Sequence, residues 1–447
     1  MVRFFRLAAR GLAAVLLLAM ALPVPAASAG TGPTPPASVV SAAGYGGGWL
    51  ARLVAAAGGY VPTDPSKPTT SAPDPSGTAD AVLALHAAGV GRAAAGASLS
   101  WLQSHFEGYV HTGRADVPGA LAKVILVARA AGADPRAFGG TGPAGNLVAR
   151  LQATQRTSGR DKGLFGSQSP TYDGAYRQGL SLLALAAVGR TDAVAVRWLK
   201  NQQCADGGWL GYRKDTSVPC PTPDPATFSG PDTNSTALAL QGLLAAGSRP
   251  ADDALGFLAS VQSDGGGWAY VASRTTPADP NSTSLVIQAL LASGQDPSSG
   301  HWTRSGGAPY AALLRFQLGC TAPAADRGAF YFDVGDGSRK PNLLATVQAV
   351  PAAAGRFFPL APSIPGSATP TVPCSAPTPS PSATPTPSPS STPSATPTAS
   401  PTAGPTPTGG PTLPDTGTGF DPRVLGGIGA ALLLAGVSLL MAGRRAG

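Results

Sequence analysis

The sequence predicts an all-α protein built as a ring of six helical hairpins. Three observations carry that reading. Ala- and Leu-rich runs of helical length recur twelve times between residues 40 and 360. They alternate between runs that are apolar nearly all round and runs that carry charge on one face. The first kind suits helices buried on every side and the second suits helices that face water, so two concentric layers follow. Finally, one turn is spelled twice, as "NQQCADGGWLGY" (Asn201–Tyr212) and "SVQSDGGGWAYV" (Ser260–Val271).

Taken in order, the expected helices are Gly48–Gly58, Thr78–Gly89, Ala97–Phe106, Pro118–Gly132, Ala144–Gln155 and Gly174–Gly189. The remaining six are Asp192–Gln203, Asp232–Gly247, Ala251–Gln262, Asn281–Gly294, Pro309–Gly319 and Pro341–Gly355. Many open on Asp, Asn, Ser, Thr or Pro and close on Gly, as helix start and stop signals do. No sheet of consequence is expected. Each repeated turn falls at the end of an outer run. Its glycines supply the positive φ that ends a helix. Trp209 and Trp268 can then lie over the next hairpin, and Gln203 and Gln262 can reach neighbouring backbone.

"QQCADGGWLGY" and "QSDGGGWAY" resemble the Gln–Trp repeats of the prenyltransferase and squalene-cyclase α/α toroid superfamily (squalene-oxidase-like repeats). "PDTNSTALALQGLLAAG" is similar to the inner-helix openings of that fold. The resemblance covers residues 40–360 and implies an α/α toroid, an (α/α)6 barrel. It says little about activity, because the fold hosts cyclases, lipid transferases, complement-type domains and cobalamin carriers.

Each chemistry is therefore sought in the residues. A class II terpene cyclase needs an Asp-x-Asp-Asp cluster, and none occurs. Asp252-Asp253 is the nearest pair, but it opens an outer helix, where it offsets the helix dipole. His86, His105, His111 and His301 are the four histidines, and none stands at metal spacing to a Cys or another His. No metal and no cofactor is expected. Cys204 is followed by Ala-Asp-Gly rather than a thioester motif. Asp80, Asp173 and Asp232 are read as opening inner helices, either as plain N-caps or as carboxylates lining one mouth of the ring. Tyr172, Tyr176, Asn234 and Asn281 join them there. The turns add Trp209, Tyr212, Trp268, Tyr270 and Tyr331. Aromatic and amide groups round an apolar cavity describe a small-molecule site. Asp232-Thr233 is similar to the inner-helix openings of cobalamin carriers, although the β-rich lid domain those carry is missing from this sequence.

The ends read as addresses. Residues 1–29 combine a basic start, an apolar stretch from Leu12 to Leu22 and Ala27-Ser28-Ala29, a secretory signal peptide. Leu413, Pro414, Asp415, Thr416 and Gly417 form an LPxTG pentapeptide, followed by an apolar run at 424–442 and Arg444-Arg445. Residues 413–447 thus resemble a Gram-positive sortase sorting signal whose apolar run forms a transmembrane helix. A sortase would cut after Thr416 and join it to peptidoglycan. Residues 361–412 are a disordered stalk rich in Pro, Ser and Thr, reaching up to roughly 160 Å as polyproline II. Four cysteines fit an exported chain, and pairing Cys204 with Cys220 and Cys320 with Cys374 would pin one loop and the stalk base.

The chain carries 31 basic and 23 acidic residues, but six arginines lie in the terminal segments. Between residues 30 and 360 the count is 25 to 21, a mixed surface and no nucleic-acid footprint. The expected function is a wall-anchored surface protein whose ring binds a corrinoid, a lipid-like molecule or a glycan without turnover. Two alternatives stay open: an extracellular enzyme acting on a polyisoprenoid or polysaccharide, and a structural or adhesive module.

Overall fold

The computed structural model describes residues 33–374, apart from 114, 167–172, 334 and 336. The expected signal peptide (1–29), the sorting pentapeptide (413–417), the apolar run (424–442) and Tyr172 lie outside the described residues. No helix among the described residues is long and apolar enough to cross a membrane.

The chain runs α1 (Ala37–Ala57), α2 (Pro75–Ala88), α3 (Arg92–His105), the single turn α4 (Glu107–Val110), then the two-residue strands β1 (His111–Thr112) and β2 (Ala115–Asp116). It continues with α5 (Pro118–Ala130), α6 (Leu147–Ala153), α7 (Ala175–Ala187), α8 (Ala193–Asn201) and α9 (Thr233–Ala245). The last helices are α10 (Ala254–Ser260), α11 (Pro280–Ala292), α12 (Pro309–Leu314) and α13 (Leu343–Ala353). All twelve expected helices form, and α4 is the addition.

Helices α2, α5, α7, α9, α11 and α13 pack in that order, and α13 returns to α2, so the inner ring closes. Outside it lie α3, α6, α8, α10 and α12, each packed on the inner helix it follows. The sixth outer place is taken by α1, which packs on α13 and α2. The start of the described chain therefore covers its last helix. Apolar side chains such as Leu50, Val54, Leu85 and Val350 fill the space between the layers, all without exposed surface.

The starts of α1, α2 and α11 differ from expectation for physical reasons. The inner helices α2 and α11 start earlier, at Pro75 and Pro280, behind the caps Asp74 and Asp279. Proline is at home in the first helical position, where an N–H would have no partner. Helix α1 starts eleven residues before Gly48, through "GYGGG". That run has poor helix propensity. Yet a Cβ at Gly46 would press on Val350 and one at Gly47 on Val90, both at 2.6 Å. Close approach to α13 and to the α2–α3 turn needs glycine there, and packing overrides propensity.

The repeated turn is more widespread than its two clear spellings. Gln203 donates to Gly207 O (2.9 Å) and Asp252 O (3.1 Å) and accepts from the amides of Ala251 and Asp252. Gln262 donates to Gly266 O and Trp302 O, both at 2.8 Å. Gln155, facing Phe165, and Gln317, facing Phe330, play the same part. The backbone N–H of each aromatic then bonds a side chain four residues past the next inner cap. Trp209 bonds Thr236 (2.9 Å), Trp268 bonds Thr283 (3.0 Å), Phe330 bonds Thr346 (2.9 Å) and Phe165 bonds Gln178 (3.0 Å). Val61 bonds Thr78 likewise at 2.9 Å. These bonds set five of the six inner helices, all but α5, at one height.

Both expected disulfides are present, Cys204–Cys220 and Cys320–Cys374. The stalk was expected to begin at 361, but residues 361–374 lie on the ring. Ser363 N bonds Ala130 O (3.0 Å) and Gly366 N bonds Gly89 O (2.8 Å), at the ends of α5 and α2. Gly91 N bonds Ala368 O (2.9 Å) and Arg92 N bonds Gly366 O (3.0 Å). Helix C-termini leave carbonyls without partners, and this strap supplies donors. Pro-rich sequence forbids helix but not extended packing, which is why composition alone misplaced the boundary.

Candidate functional site at the inner ring

Because the inner helices share one height, residues at equal distance from their N-caps form layers. The caps are Asp74, Val117, Gly174, Asp232, Asp279 and Asn342. Helices α7 and α9 touch through Gly179, five residues past its cap, and Gly242, ten past its own. At 100° per residue, the ring axis then faces positions two, six, nine and thirteen.

The second positions are Ser76, Gly119, Tyr176, Asn234, Asn281 and Leu344. The sixth are Asp80, Lys123, Leu180, Leu238, Leu285 and Gln348. The ninth are Leu83, Leu126, Leu183, Gln241, Gln288 and Pro351. The thirteenth are five alanines, Ala87, Ala130, Ala187, Ala245 and Ala292, with Gly355. Those small residues widen the lower mouth, and the strap crosses it with Phe358 and Leu360 packed into the core. Beside the strap, a cavity of about 640 Å³ opens between the ends of α5 and α7, lined by Arg129, Arg136, Ala187, Pro359 and Leu360.

The sixth layer is the chemically distinctive one. Lys123 Nζ lies 2.8 Å from Asp80 Oδ2 and donates to Ser76 Oγ at 3.0 Å. Lys123 is 3% exposed and Asp80 20% exposed, so the pair reaches solvent on the Asp80 side. The hydroxyl of Tyr109 bonds Ser76 at 3.4 Å. The Arg177 side chain crosses Gly119, one turn above Lys123, and its guanidinium stands 3.8 Å from Asp173. A buried charge keeps its place only when paired in this way. The other half of the layer is a wall of three leucines.

The structure redistributes the sequence-predicted residues. Asp80 does not open a helix; it lies in the second turn of α2, and Asp74 is the cap. Asp173 is buried one residue before the Gly174 cap. Asp232 does cap α9, accepting from Ser235 N at 2.6 Å. Tyr176, Asn234 and Asn281 stand together in the top layer. The indole N–H of Trp268 donates to Leu258 O and that of Trp209 to Leu199 O, both at 2.8 Å, and neither ring has exposed surface. They are packing staples, since the turn folds them between layers rather than over the mouth. Tyr212 turns away to bond Asp161 at 3.0 Å, and Tyr331 is buried against Phe316.

Burial pushes the Asp232 carboxyl up to about 6, against the pull of the Ser235 hydrogen bonds. Burial raises Asp279 as well. The charge of Asp232, and then burial, raises the nearby Tyr270 hydroxyl. Among the described residues, no group of three His, Cys, Asp or Glu is placed to hold a metal ion.

Lys123, Arg177, Gln241, Gln288 and Gln348 are lining or supporting groups that the sequence reading missed. A signal existed for the three glutamines: each is the one long polar residue inside an inner helix that is otherwise small and apolar, as in "TNSTALALQGLLA".

No family model matches this sequence, and no curated protein does. Among solved structures, the chain is similar to the type II terpene cyclase MstE from Scytonema in its apo form. The likeness has 14% identity and a TM-score of 0.38, covering 68% of this chain and 98% of that one.

Proposed function

We propose that the protein is exported, joined to the cell wall through Thr416, and uses its ring to bind a small molecule without turnover. The observation that carries the binding reading is the sixth layer. There the Asp80–Lys123 pair faces Leu180, Leu238 and Leu285 at one height. Apolar walls with a few convergent polar groups are the usual make-up of a small-molecule site. A carboxylate ion-paired at 2.8 Å accepts hydrogen bonds; it is a poor source of the proton that an alkene cyclisation needs. The three leucines and Lys123 keep at most 7% of their surface, which favours a ligand smaller than a corrinoid. The strap across the lower mouth directs entry to the upper one.

The test is thermal unfolding and calorimetry of the purified chain with squalene, polyprenyl phosphates, cobalamin and wall saccharides, with products followed in parallel. Binding that weakens in Asp80→Asn, with no product, is expected. The enzyme reading rests on one observation, the buried Asp232 carboxyl raised to about 6, the range of a general acid. A product that disappears in Asp232→Asn would establish that reading instead. For location, changing Leu413-Pro414 to Ala-Ala is expected to release the protein from walls boiled in detergent; equal retention would refute covalent anchoring.

A further inference from the structure

We infer that the cavity beside the strap is a second binding site, for a single-chain amphiphile with an anionic head. Arg129 and Arg136 take the head, and the apolar surface between α5, α7 and the strap takes the tail. The site lies outside the ring lumen, so it stands or falls separately from the binding reading above.

The first observation is space. The cavity holds about 640 Å³, inside the range of about 300–1,000 Å³ usual for small-molecule sites. Its floor is Ala187 of α7 with Pro359 and Leu360 of the strap, all buried. Ala133, Ala186 and Val188 form the walls. Each of the three is half-buried, so apolar surface faces the opening.

The second observation is which polar groups are left free. Helix C-termini ordinarily offer carbonyls without partners. Here those carbonyls are taken. At the end of α5, Ala131 N bonds Val127 O (3.0 Å), Ala133 N bonds Ala128 O (2.8 Å) and Gly132 N bonds Arg129 O (3.2 Å). Ser363 N of the strap takes Ala130 O. At the end of α7, Arg190 N bonds Leu185 O (2.9 Å) and Gly189 N bonds Ala186 O (3.0 Å).

The charged groups of the lining are then two guanidinium groups against one carboxylate, Asp134. That carboxylate accepts from Arg136 N at 2.9 Å and stands 3.9 Å from Arg136 Nη1. An exposed pair of this kind holds its partners weakly. Arg129 makes no ion pair and no side-chain hydrogen bond among the described residues. Offsetting the helix dipole accounts for Arg129, in the last turn of α5. It does not account for Arg136, which lies on the loop beyond, nor for the apolar concavity between them and the strap.

The ligand class follows from this pairing. Guanidinium groups recognise carboxylate and phosphate oxygens through parallel N–H donors. An inorganic anion would leave the apolar walls uncovered, and a neutral chain would gain nothing from the two cations. An anionic head joined to an apolar tail uses both.

The experiment uses the full purified chain with decanoate below its micellar concentration, read by calorimetry. Acetate, inorganic phosphate and decanol are the controls. Decanoate is expected to bind, and each methylene removed from it to weaken binding by up to roughly fourfold. The double substitution Arg129→Ala with Arg136→Ala is expected to bind at least about tenfold more weakly. Both side chains are exposed, so this variant is expected to keep its unfolding midpoint. Ala186→Trp, which fills the cavity from a half-buried position, is expected to lose the decanoate response. If that chain does not fold, the arginine variant decides alone. Arg249→Ala removes an exposed arginine away from the cavity and is expected to bind as the wild type does.

The inference is overturned if the wild type does not bind decanoate, or if acetate, phosphate or decanol binds as tightly. It is equally overturned if the arginine variant or a folded Ala186→Trp binds unchanged, or if Arg249→Ala weakens binding as much. Decanoate binding that Asp80→Asn weakens and the arginine variant does not would place the amphiphile in the lumen. That result removes this site and leaves the binding reading standing.

Discussion

Replacing Gln203 by Ala tests whether the repeated turn holds the ring together. Its side chain makes four hydrogen bonds to backbone: to Gly207 O, to Asp252 O, and from the amides of Ala251 and Asp252. They tie the end of α8 to the start of α10, one hairpin further on. A net hydrogen bond is worth about 0.5–1.5 kcal/mol, and more when its loss strands a buried partner. Gly207 is buried, so its carbonyl would stay unpaired in Gln203→Ala. Ala251 and Asp252 are exposed, so water would replace the lost partner there at little cost. Together the loss is about 2–4 kcal/mol. Unfolding entropy near 2.1 cal/mol/K per residue, over a body of about 340 residues, converts each kcal/mol to ~1.4 °C. The unfolding midpoint is therefore expected to fall by ~3–6 °C in calorimetry with the disulfides intact. Gln262→Ala loses two bonds to buried carbonyls and belongs near the lower end of that range. A drop of less than about 1 °C in Gln203→Ala would refute the idea that these glutamines staple neighbouring hairpins.

Three further outcomes follow from the same geometry. A chain ended after Leu360 loses the strap and the Cys320–Cys374 bridge, which closes a loop of 54 residues worth about 4 kcal/mol. It is expected to unfold at least ~6 °C below a chain ended after Cys374, and equal midpoints would show that the strap is idle. Asp232 has its folded value raised to about 6, so its contribution is greatest below the unfolded value near 3.9 and is lost as pH rises through 6. Wild-type stability relative to Asp232→Asn should thus fall by about 2.4 kcal/mol between pH 4 and pH 7.5 in urea unfolding, and a flat difference would contradict the burial. In Gly179→Ala the new Cβ would run into the Leu238 carbonyl of α9, costing about 1–3 kcal/mol. Gly96→Ala in α3 meets nothing within 4 Å and should stabilise by ~0.5–1 kcal/mol; the reverse order in a melting comparison would refute the close α7–α9 contact.

The sequence by itself determined what depends on local spacing. Alternating burial character and cap chemistry sufficed for twelve helices in two layers, because periodicity and N-cap hydrogen bonding act within a few residues. The short loop bridged by Cys204 and Cys220 was legible for the same reason. The glutamine turns were legible where they are compact, at Gln203 and Gln262. They were hidden at Gln155 and Gln317, where Phe replaces Trp and the loops lengthen. Tertiary structure decided everything that depends on height around the ring. Asp80 meets Lys123, 43 residues away, only because α2 and α5 are neighbours at matched distances from their caps. The amides of Gln241 and Gln288 share a layer for the same reason, although 47 positions separate them in the sequence. Trp209 and Trp268 look like rim aromatics in sequence, but the turn carries them between the layers. The glycine-rich start of α1 and the proline-rich strap were misread because their conformations come from what they pack against. Propensity is a local quantity of about 1 kcal/mol per residue, and the contacts of a closed ring outweigh it.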